Sequence, residues 1–494
     1  VSMSSKSAWG KGPPSLLAAA AHAQEFVPSF ASVPQPQPEP PAPVSQSPED
    51  SNKTVAAADS PEVATEPAVV AQTAEKPAAT AATGGKSWAQ LAAGNRASAK
   101  AVAPVQPAQP APPLEPLHLD SMTRTALEIK ELNLIPRGLH NKGNLCFLNS
   151  VVQTLMAVPP LFSLLSQMKG KQMPGAPLLS NMAWLTGEFV EHSSPEPPAP
   201  GLPFTPSNLY PLLRRFSPSD FHVGPRGKSQ QEDAQELLNF VLDTMHAELI
   251  HLGQVFGEHF PDEDDAAPSD AGEDDAWEQV GRGNKAAVIR QGVRMTSSPI
   301  VRIFGGKLRS TIHKQGGKAQ ACDEPFNCLC LDISNPDTIT VEAALEQLFS
   351  AEHLDGVFDG RSGREKREVA ARKRELIAVL PRTLILCLKR FNFDLQSGQP
   401  IKINKAVEFG ERLDVRSKWL AGETAARAGR RYSLQAVLSH HGSQPVRGHY
   451  TADVKGNGDV WWRLDDERVR ITPIAEVLSQ PAYLLVYTLM PNEQ

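Results

Sequence analysis

The sequence predicts an α+β protein that is preceded by a long disordered region. Three observations support this: the composition changes near residue 127, apolar residues at helical spacing come first after that point, and strand patterns fill the last third. Helices followed by a strand-rich half are typical of the α+β class. We therefore assign residues 1–126 to a disordered region and residues 127–491 to one folded domain.

The first region is rich in alanine, proline and glutamine. Its first 120 residues hold 19 of the 44 prolines and four aromatic residues. Such a stretch buries too little apolar surface to offset its chain entropy, so the composition predicts disorder. Short segments around Trp9 and Trp88 are candidate docking motifs for a partner. Stray aromatic residues in a disordered tail explain them at least as well.

Overall composition limits the function classes. The chain has 494 residues and a net charge of −6, so nothing global points to nucleic acid as a direct partner. No stretch approaches the roughly 18 apolar residues of a membrane span. Five cysteines, with none in the first 145 residues, argue against a disulfide framework and for a reducing compartment. We expect a monomer in the cytoplasm, with entry into the nucleus left open.

Two helices and five strands are predicted within the folded domain. Apolar residues at helical spacing mark helices at 146–158 and 232–252. Apolar runs and alternating patterns mark strands at 383–388, 432–438, 451–454, 460–464 and 482–489. A proline-rich loop is expected at 192–206. An acidic, disordered insertion is expected at about 258–278, which holds ten acidic residues and no lysine or arginine.

The segment GLHNKGNLCFLN places Cys146 where a glycine-bearing loop enters an apolar helical pattern. The positive end of the helix dipole stabilises a thiolate at such a position. Asn141, five residues upstream, can offer a side-chain N–H to a developing oxyanion. Taken alone, however, Cys146 is equally compatible with a buried structural cysteine, because packing is the commoner role of a lone cysteine.

Two motifs near the end of the sequence supply a base for this thiol. RGHYTADV carries His449, and WWRLDDE carries Asp465 and Asp466. A hairpin between the two strand patterns would bring Asp465 beside His449. A thiolate nucleophile needs a base, and the base needs an orienting acceptor. Cys146, His449 and Asp465 together are therefore much harder to explain as structure alone.

These motifs resemble those of the ubiquitin-specific proteases, a family of papain-like deubiquitinases. The resemblance covers about residues 135–490 and includes QQEDAQELL at 230–238, LPRTLILCLKRF at 380–391 and AYLLVY at 482–487. It implies a papain-like cysteine peptidase fold with a helical thumb, a β-rich palm and β fingers. It also implies hydrolysis of the isopeptide, peptide or ester bond at the C-terminal glycine of ubiquitin, with no cofactor.

The resemblance gives each motif residue a role. Cys146 matches the nucleophile, His449 the general base and Asp465 the residue that orients it. Asn141 matches the oxyanion-hole residue. Asp466 matches a neighbouring acid that in some relatives assists the oxyanion or water.

Four further residues match substrate contacts of the family. They are Gln231, Asp233, Glu236 and Tyr450. Carboxylates in this groove suit the arginine-rich tail of ubiquitin. For Asp233 and Glu236 the alternative is a solvated acid at a helix N-terminus, where acids are favoured in any case.

The family often binds zinc in its fingers through two Cys-x-x-Cys pairs, and the corresponding segments here hold no cysteine. Cys322, Cys328 and Cys330 have the wrong spacing for such a site, so we expect no metal and assign these thiols to packing. Cys387 is expected to pack under the palm. The expected partners are ubiquitin and ubiquitinated proteins. The resemblance adds a stress-granule-type RNA-binding protein as a candidate partner of the disordered region.

Overall fold

A computed structural model describes residues 115–129, 131–192, 198–216, 231–258, 260, 278–280, 288–292, 296–315, 319–355, 369–394, 398–425, 430–445 and 447–491. Within these ranges the chain forms the mixed helix-and-sheet fold that the sequence predicts. The predicted disorder up to residue 114 and most of the predicted acidic insertion lie outside the described residues.

Most of the helices lie in the first part of the described chain, and most of the strands follow them. The helices are α1 (Leu119–Glu128), α2 (Cys146–Met156), α3 (Pro159–Met168), α4 (Pro177–Thr186), α5 (Tyr210–Phe216), α6 (Ala234–Phe256), α7 (Pro299–Phe304), α8 (Val341–Leu348), α9 (Gly422–Ala425) and α10 (Ile474–Leu478). The strands are β1 (Arg137–Leu139), β2 (Gly201–Phe204), β3 (Glu278–Val280), β4 (Val288–Gly292), β5 (Gly306–Lys314), β6 (Ala319–Phe326), β7 (Cys328–Leu331), β8 (Glu352–Leu354), β9 (Ala371–Val379), β10 (Thr383–Leu388), β11 (Phe391–Asp394), β12 (Gln399–Lys402), β13 (Arg412–Asp414), β14 (Arg431–Gln444), β15 (Arg447–Lys455), β16 (Trp461–Asp465), β17 (Arg468–Thr472) and β18 (Ala482–Leu489).

Helix α2 begins at Cys146, as predicted, and every one of its residues is buried. Its polar residues Asn149, Ser150, Gln153 and Thr154 are buried together with its apolar ones, so the helix is enclosed on all sides. The helix ends two residues before the predicted boundary at 158. Pro159 starts the next helix, and the residue before a proline is disfavoured in the α conformation.

Helix α6 confirms the predicted helix at 232–252 and extends it to Phe256. Asp233 is the N-cap, and its carboxylate accepts the backbone N–H groups of Gln235 and Glu236. The helix ends at Gly257, which has a φ of 70°. This left-handed conformation favours glycine and is a common helix terminator.

The larger sheet has eight strands and lies beside the helices. Its order is β17-β16-β15-β14-β18-β10-β7, with β13 paired to the outer part of β14. Neighbours are antiparallel except β10 and β7, which are parallel. All five predicted strands are present in this sheet. We identify this sheet as the palm and the helices that pack on it as the thumb, in line with the expected architecture.

Strand β10 shows how the palm is buried on both faces. Ile385 and Cys387 join the core that contains the thumb helices. Leu384, Leu386 and Leu388 join a second core on the opposite face. A strand covered on both sides reads as a continuous apolar run, which is why TLILCL lacks alternation.

A second sheet has six strands in the order β3-β4-β6-β5-β9-β8 and corresponds to the expected fingers. Strand β5 is its centre and pairs antiparallel with β6 and β9. A separate hairpin is formed by β11 and β12. No single helix among the described residues has the length and apolarity of a membrane span, although α2 and α3 together, bent by 89°, reach that length.

Two boundary predictions are wrong. Helix α1 covers residues that we assigned to the disordered region, and its Leu119 and Ala126 side chains are fully buried. The folded domain therefore begins before residue 127. Part of the predicted loop at 192–206 is strand β2, which pairs in parallel with β1. Both elements are short, and their stability comes from tertiary contacts that a local pattern does not reveal.

A buried carboxylate joins two thumb helices and gives a stability prediction. Glu248 of α6 is 7% exposed and accepts the N–H groups of Leu178 and Leu179, the first turn of α4, at 3.0 and 2.8 Å. Glu248→Ala leaves these two donors buried without an acceptor, so we expect the free energy of unfolding to fall by about 2 kcal/mol. Urea denaturation measures this change. Glu248→Gln keeps one acceptor and should lose less, whereas equal stability of the alanine variant and the wild type would contradict the prediction.

Candidate active site

The backbone before Cys146 turns sharply to deliver the thiol to the start of α2. Gly143 has a φ of 138° and Asn144 a φ of 54°, both in the left-handed half of the Ramachandran map. Glycine and asparagine are the residues that adopt such values most readily. Cys146 follows as the first residue of α2 and is 3% exposed. The thiol therefore lies at the positive end of a buried helix, as predicted.

His449 and Asp465 meet across the hairpin that the sequence predicts. Strands β15 and β16 pair antiparallel, with Ala452 opposite Leu464. This register brings His449 Nε2 to 2.5 Å from Asp465 Oδ1. The His449 ring also shares a hydrogen bond with the Cys146 thiol. The three predicted triad residues therefore form one continuous hydrogen-bonded chain.

The charge state of His449 follows from these two partners. The hydrogen bond to Cys146, and then the bond to Asp465, raises the pKa of His449 to about 9, while burial acts in the opposite direction. The imidazole is therefore protonated at neutral pH. A protonated imidazole next to the thiol can form an ion pair with a Cys146 thiolate, which is the nucleophilic form.

Asp466 lies beside His449 and Asp465 and also holds the loop before the nucleophile. It has a φ of 52°, and its carboxylate accepts Asn149 Nδ2 at 2.8 Å and Asn141 Nδ2 at 2.9 Å. Its backbone carbonyl accepts the N–H of Leu139 at 2.8 Å. One residue of the palm thus contacts the loop, and also the first turn of α2.

Asn141 has a fixed amide orientation. Its Oδ1 accepts the N–H groups of Gly143 and Leu145 at 3.2 and 2.8 Å, so its Nδ2 faces Asp466. An amide nitrogen carries two hydrogens, and the bond to Asp466 uses one of them. The second is available for an anion. Asn141 therefore has a suitable donor for the oxyanion role, which stays a prediction.

Asp233 lies between two structural partners. Besides capping α6, its carboxylate accepts the Tyr483 hydroxyl at 2.7 and 2.8 Å. Burial raises the pKa of Asp233, although these donors act against the shift. Glu236, in the first turn of α6, is exposed. Glu236 thus matches the alternative of a solvated acid at a helix N-terminus, whereas Asp233 is a partly buried N-cap bonded to Tyr483. Contact of either side chain with substrate stays a prediction.

Tyr450 and Gln231 do not lie where side chains on the wall of an open substrate groove would be expected. Tyr450 is 2% exposed, packs against the rings of His440 and Tyr483, and its hydroxyl accepts the N–H of Ala234. Its position supports the floor of the site. Gln231 reaches the triad itself, with its Nε2 3.3 Å from the Cys146 sulfur. Contact of these two side chains with a substrate is likewise still a prediction.

Sequence reasoning missed Asn149 and Tyr483. Asn149 lies one turn after Cys146 and is buried, so a polar residue on the same face of the helix as the nucleophile was the available signal. Tyr483 sits in an apolar strand, and its hydroxyl needed a partner there. Both side chains bond to an aspartate beside the site.

The remaining cysteines lie on strands. Cys322 is in β6, Cys328 and Cys330 in β7, and Cys387 in β10. The thiols of the last three hydrogen-bond to one another, which agrees with the packing role that we expected. All five cysteines are free. Across the described ranges, the group of potential metal ligands that come within 4.8 Å of one another is His449, Asp465 and Asp466, which belong to the site above.

The chain is similar to known proteins in both sequence and fold. The profile of the ubiquitin carboxyl-terminal hydrolase family matches residues 137–487, which contain all of the site residues. Ubiquitin carboxyl-terminal hydrolase 10 of Rattus norvegicus is 33% identical over 396 residues, covering 72% of this chain and 48% of that protein. Ubiquitin carboxyl-terminal hydrolase 24 of Arabidopsis thaliana is 35% identical over 363 residues, covering 71% of this chain and 64% of that protein. The chain spans about half the length of several curated relatives that it matches.

A solved structure shares the fold. A SAGA DUB module containing Ubp8 and bound to monoubiquitin matches with a TM-score of 0.53 and 22% identity, covering 72% of this chain and 70% of that one. At this identity the likeness concerns the fold. It agrees with the helical layer, palm and fingers described above.

Proposed function

The chain belongs to the ubiquitin carboxyl-terminal hydrolase family, and we propose that it is a cysteine-type deubiquitinase that removes ubiquitin from target proteins. The bond cleaved is the isopeptide, peptide or ester bond at the C-terminal glycine of ubiquitin. The observation that carries this proposal is the hydrogen-bonded chain from Cys146 through His449 to Asp465.

Acylation starts from the ion pair. The Cys146 thiolate attacks the carbonyl carbon of the last glycine, and the carbonyl oxygen becomes an oxyanion beside the free N–H of Asn141 and the N–H groups that begin α2. His449⁺ then donates its proton to the departing lysine amine, and the C–N bond breaks. Asp465 keeps the ring oriented throughout.

Deacylation returns the enzyme to its first state. The now neutral His449 takes a proton from water, and the hydroxide attacks the thioester carbonyl. Collapse of this second tetrahedral intermediate releases the ubiquitin carboxylate and the Cys146 thiolate. The two glycines that end the ubiquitin tail suit a narrow channel, which would reject most other peptides by size.

A fluorogenic ubiquitin C-terminal substrate tests the proposal directly. Pure, folded protein should release the fluorophore, and prior alkylation of its thiols should stop the release. The same fluorophore on a short peptide without a Gly-Gly terminus serves as a matched control and should not be cleaved. Absence of turnover by folded protein would refute the deubiquitinase assignment.

The alkaline limb of kcat/KM should report His449. Because acylation needs His449 protonated, kcat/KM should fall as pH rises through about 9, the pKa of this residue. Asp465→Asn keeps an acceptor oxygen but removes the negative charge that helps to raise this pKa, so the fall should begin at lower pH. A pH series with the ubiquitin substrate measures the alkaline limb of kcat/KM for the wild type and for Asp465→Asn. Circular dichroism at each pH is the folding control. An alkaline limb that is identical in the two proteins would contradict the role of Asp465.

The region before residue 115 adds a separate proposal about partners and location. Trp9 and Trp88 support docking of a partner, for which the family resemblance suggests a stress-granule-type RNA-binding protein. Sparse cysteines support a location in the cytoplasm, with nuclear entry left open, and we also propose that the chain is a monomer. Equal capture of such a protein by the full chain and by a Trp9→Ala, Trp88→Ala double variant would contradict the docking. Sedimentation tests the monomer, and imaging of the tagged full chain tests the location.

A further inference from the structure

Gln231 links the nucleophile to the strand that carries the base. It precedes the N-cap of α6, and its side chain extends to two of the elements that carry the triad, helix α2 and strand β15. Its Nε2 lies 3.3 Å from the Cys146 sulfur, and its Oε1 accepts the backbone N–H of Gly448 at 2.9 Å. Gly448 is the residue directly before His449. One amide thus links the nucleophile at the start of α2 to the strand that carries the base.

The backbone contact fixes which end of the amide meets the sulfur. A backbone N–H can only donate, so the group that faces Gly448 must be the Gln231 oxygen. The NH₂ group is then the one directed at Cys146. An amide donor beside sulfur stabilises the thiolate relative to the neutral thiol, because hydrogen bonding to the charged form favours it.

Gly448 is itself held in a fixed position. A Cβ atom at this residue would overlap both the imidazole Nε2 of His440 and the backbone carbonyl oxygen of His441, so the backbone passes with no room for a side chain. The acceptor end of Gln231 is therefore anchored to a closely packed part of the palm. This anchoring limits rotation of the amide and keeps its donor on the sulfur.

We propose that Gln231 is a positioning residue, whose amide stabilises the Cys146 thiolate and ties it to the strand that carries His449. This inference deepens the proposed deubiquitinase activity and rests on it for its biological meaning. It differs from the substrate contact expected for Gln231, because the bridge exists without substrate. The thiol chemistry can therefore be measured with no ubiquitin present.

Gln231→Glu is the sharpest variant. A carboxylate has nearly the same shape and still accepts the Gly448 N–H, but it places a negative charge instead of a donor beside the sulfur. We expect the pH midpoint for alkylation of Cys146 by iodoacetamide to rise by about one unit or more. Gln231→Ala removes both contacts and should raise the midpoint by a smaller amount, because no repulsive charge is added.

Alkylation at Cys146 is followed by peptide mass spectrometry, which separates it from the other four thiols. Gln320→Ala, in the finger strand β6, is the matched glutamine control and should keep the wild-type midpoint. Thermal melts check that each variant is folded. If Gln231→Glu does not fold, the alkylation midpoint of Gln231→Ala tests the proposal. Wild-type midpoints in folded Gln231 variants, together with a raised KM for ubiquitin, would overturn the inference and leave only a substrate contact. Failure of the wild type to cleave ubiquitin would instead affect the proposed function, because the alkylation result does not depend on it.

Discussion

Cys146→Ala is expected to lower kcat/KM for the fluorogenic ubiquitin substrate by at least about 10⁴-fold, because loss of the nucleophile removes the covalent route altogether. The site holds no second thiol to replace it, since the other four cysteines lie on strands β6, β7 and β10. The change deletes one buried sulfur and leaves the palm and fingers intact, so ubiquitin binding should persist. Steady-state kinetics and a binding isotherm with ubiquitin measure the two effects separately.

Two cysteine variants control this result. Cys146→Ser keeps an oxygen nucleophile of similar size, but an alcohol is a much weaker acid than a thiol and should remain almost inactive. Cys322→Ala removes a thiol from the finger sheet and should keep wild-type turnover. Substantial turnover by folded Cys146→Ala would show that the nucleophile has been assigned wrongly.

Asp466→Ala is expected to lower kcat by about 10²–10³-fold, the range seen when one oxyanion donor is lost. The carboxylate of Asp466 holds Asn141 and Asn149 at the same time. Without it, Asn141 loses one of the three contacts that hold its amide, and Asn149 loses a partner inside a buried helix. We expect kcat to fall more than KM rises, because the oxyanion forms only after substrate has bound.

The left-handed backbone at Asp466 calls for a second variant. Asp466→Asn tolerates a φ of 52° but offers one carbonyl oxygen where the carboxylate offers two, so it cannot accept from both asparagines. It should therefore lose activity with little change in melting temperature. Glu467→Gln, in the same turn, keeps an acceptor for His140 and is the matched control. Wild-type kcat in folded Asp466→Ala would refute the role given to this residue.

The sequence predicted the parts of the site that depend on local pattern. The helix at Cys146 follows from apolar spacing, and the hairpin that joins His449 to Asp465 follows from two strand patterns with a short turn between them. Both involve residues close in sequence, where period and turn chemistry decide the structure. Motif resemblance then supplied the pairing of these two distant pieces.

The features that the sequence did not predict depend on contacts between distant elements. The bond from Gln231 to the Cys146 sulfur spans 85 residues, and the bond from Asp466 to Asn141 spans 325. No local period encodes which side chain a polar group will meet across such distances. For the same reason the sequence did not predict that the ring of Tyr450 packs against His440 and Tyr483, and its contact with substrate stays a prediction.

The position of strand β18 has a consequence for how the protein is made. This strand follows every other strand of the palm in sequence, yet it lies between β14 and β10 in the middle of the sheet. Its Tyr483 also holds the cap of α6. A chain still on the ribosome, short of Ala482, already carries its nucleophile but has a palm with an open gap at the centre. A chain that has not passed the last palm strand therefore lacks both the strand that joins β14 to β10 and the hydrogen bond from Tyr483 to Asp233.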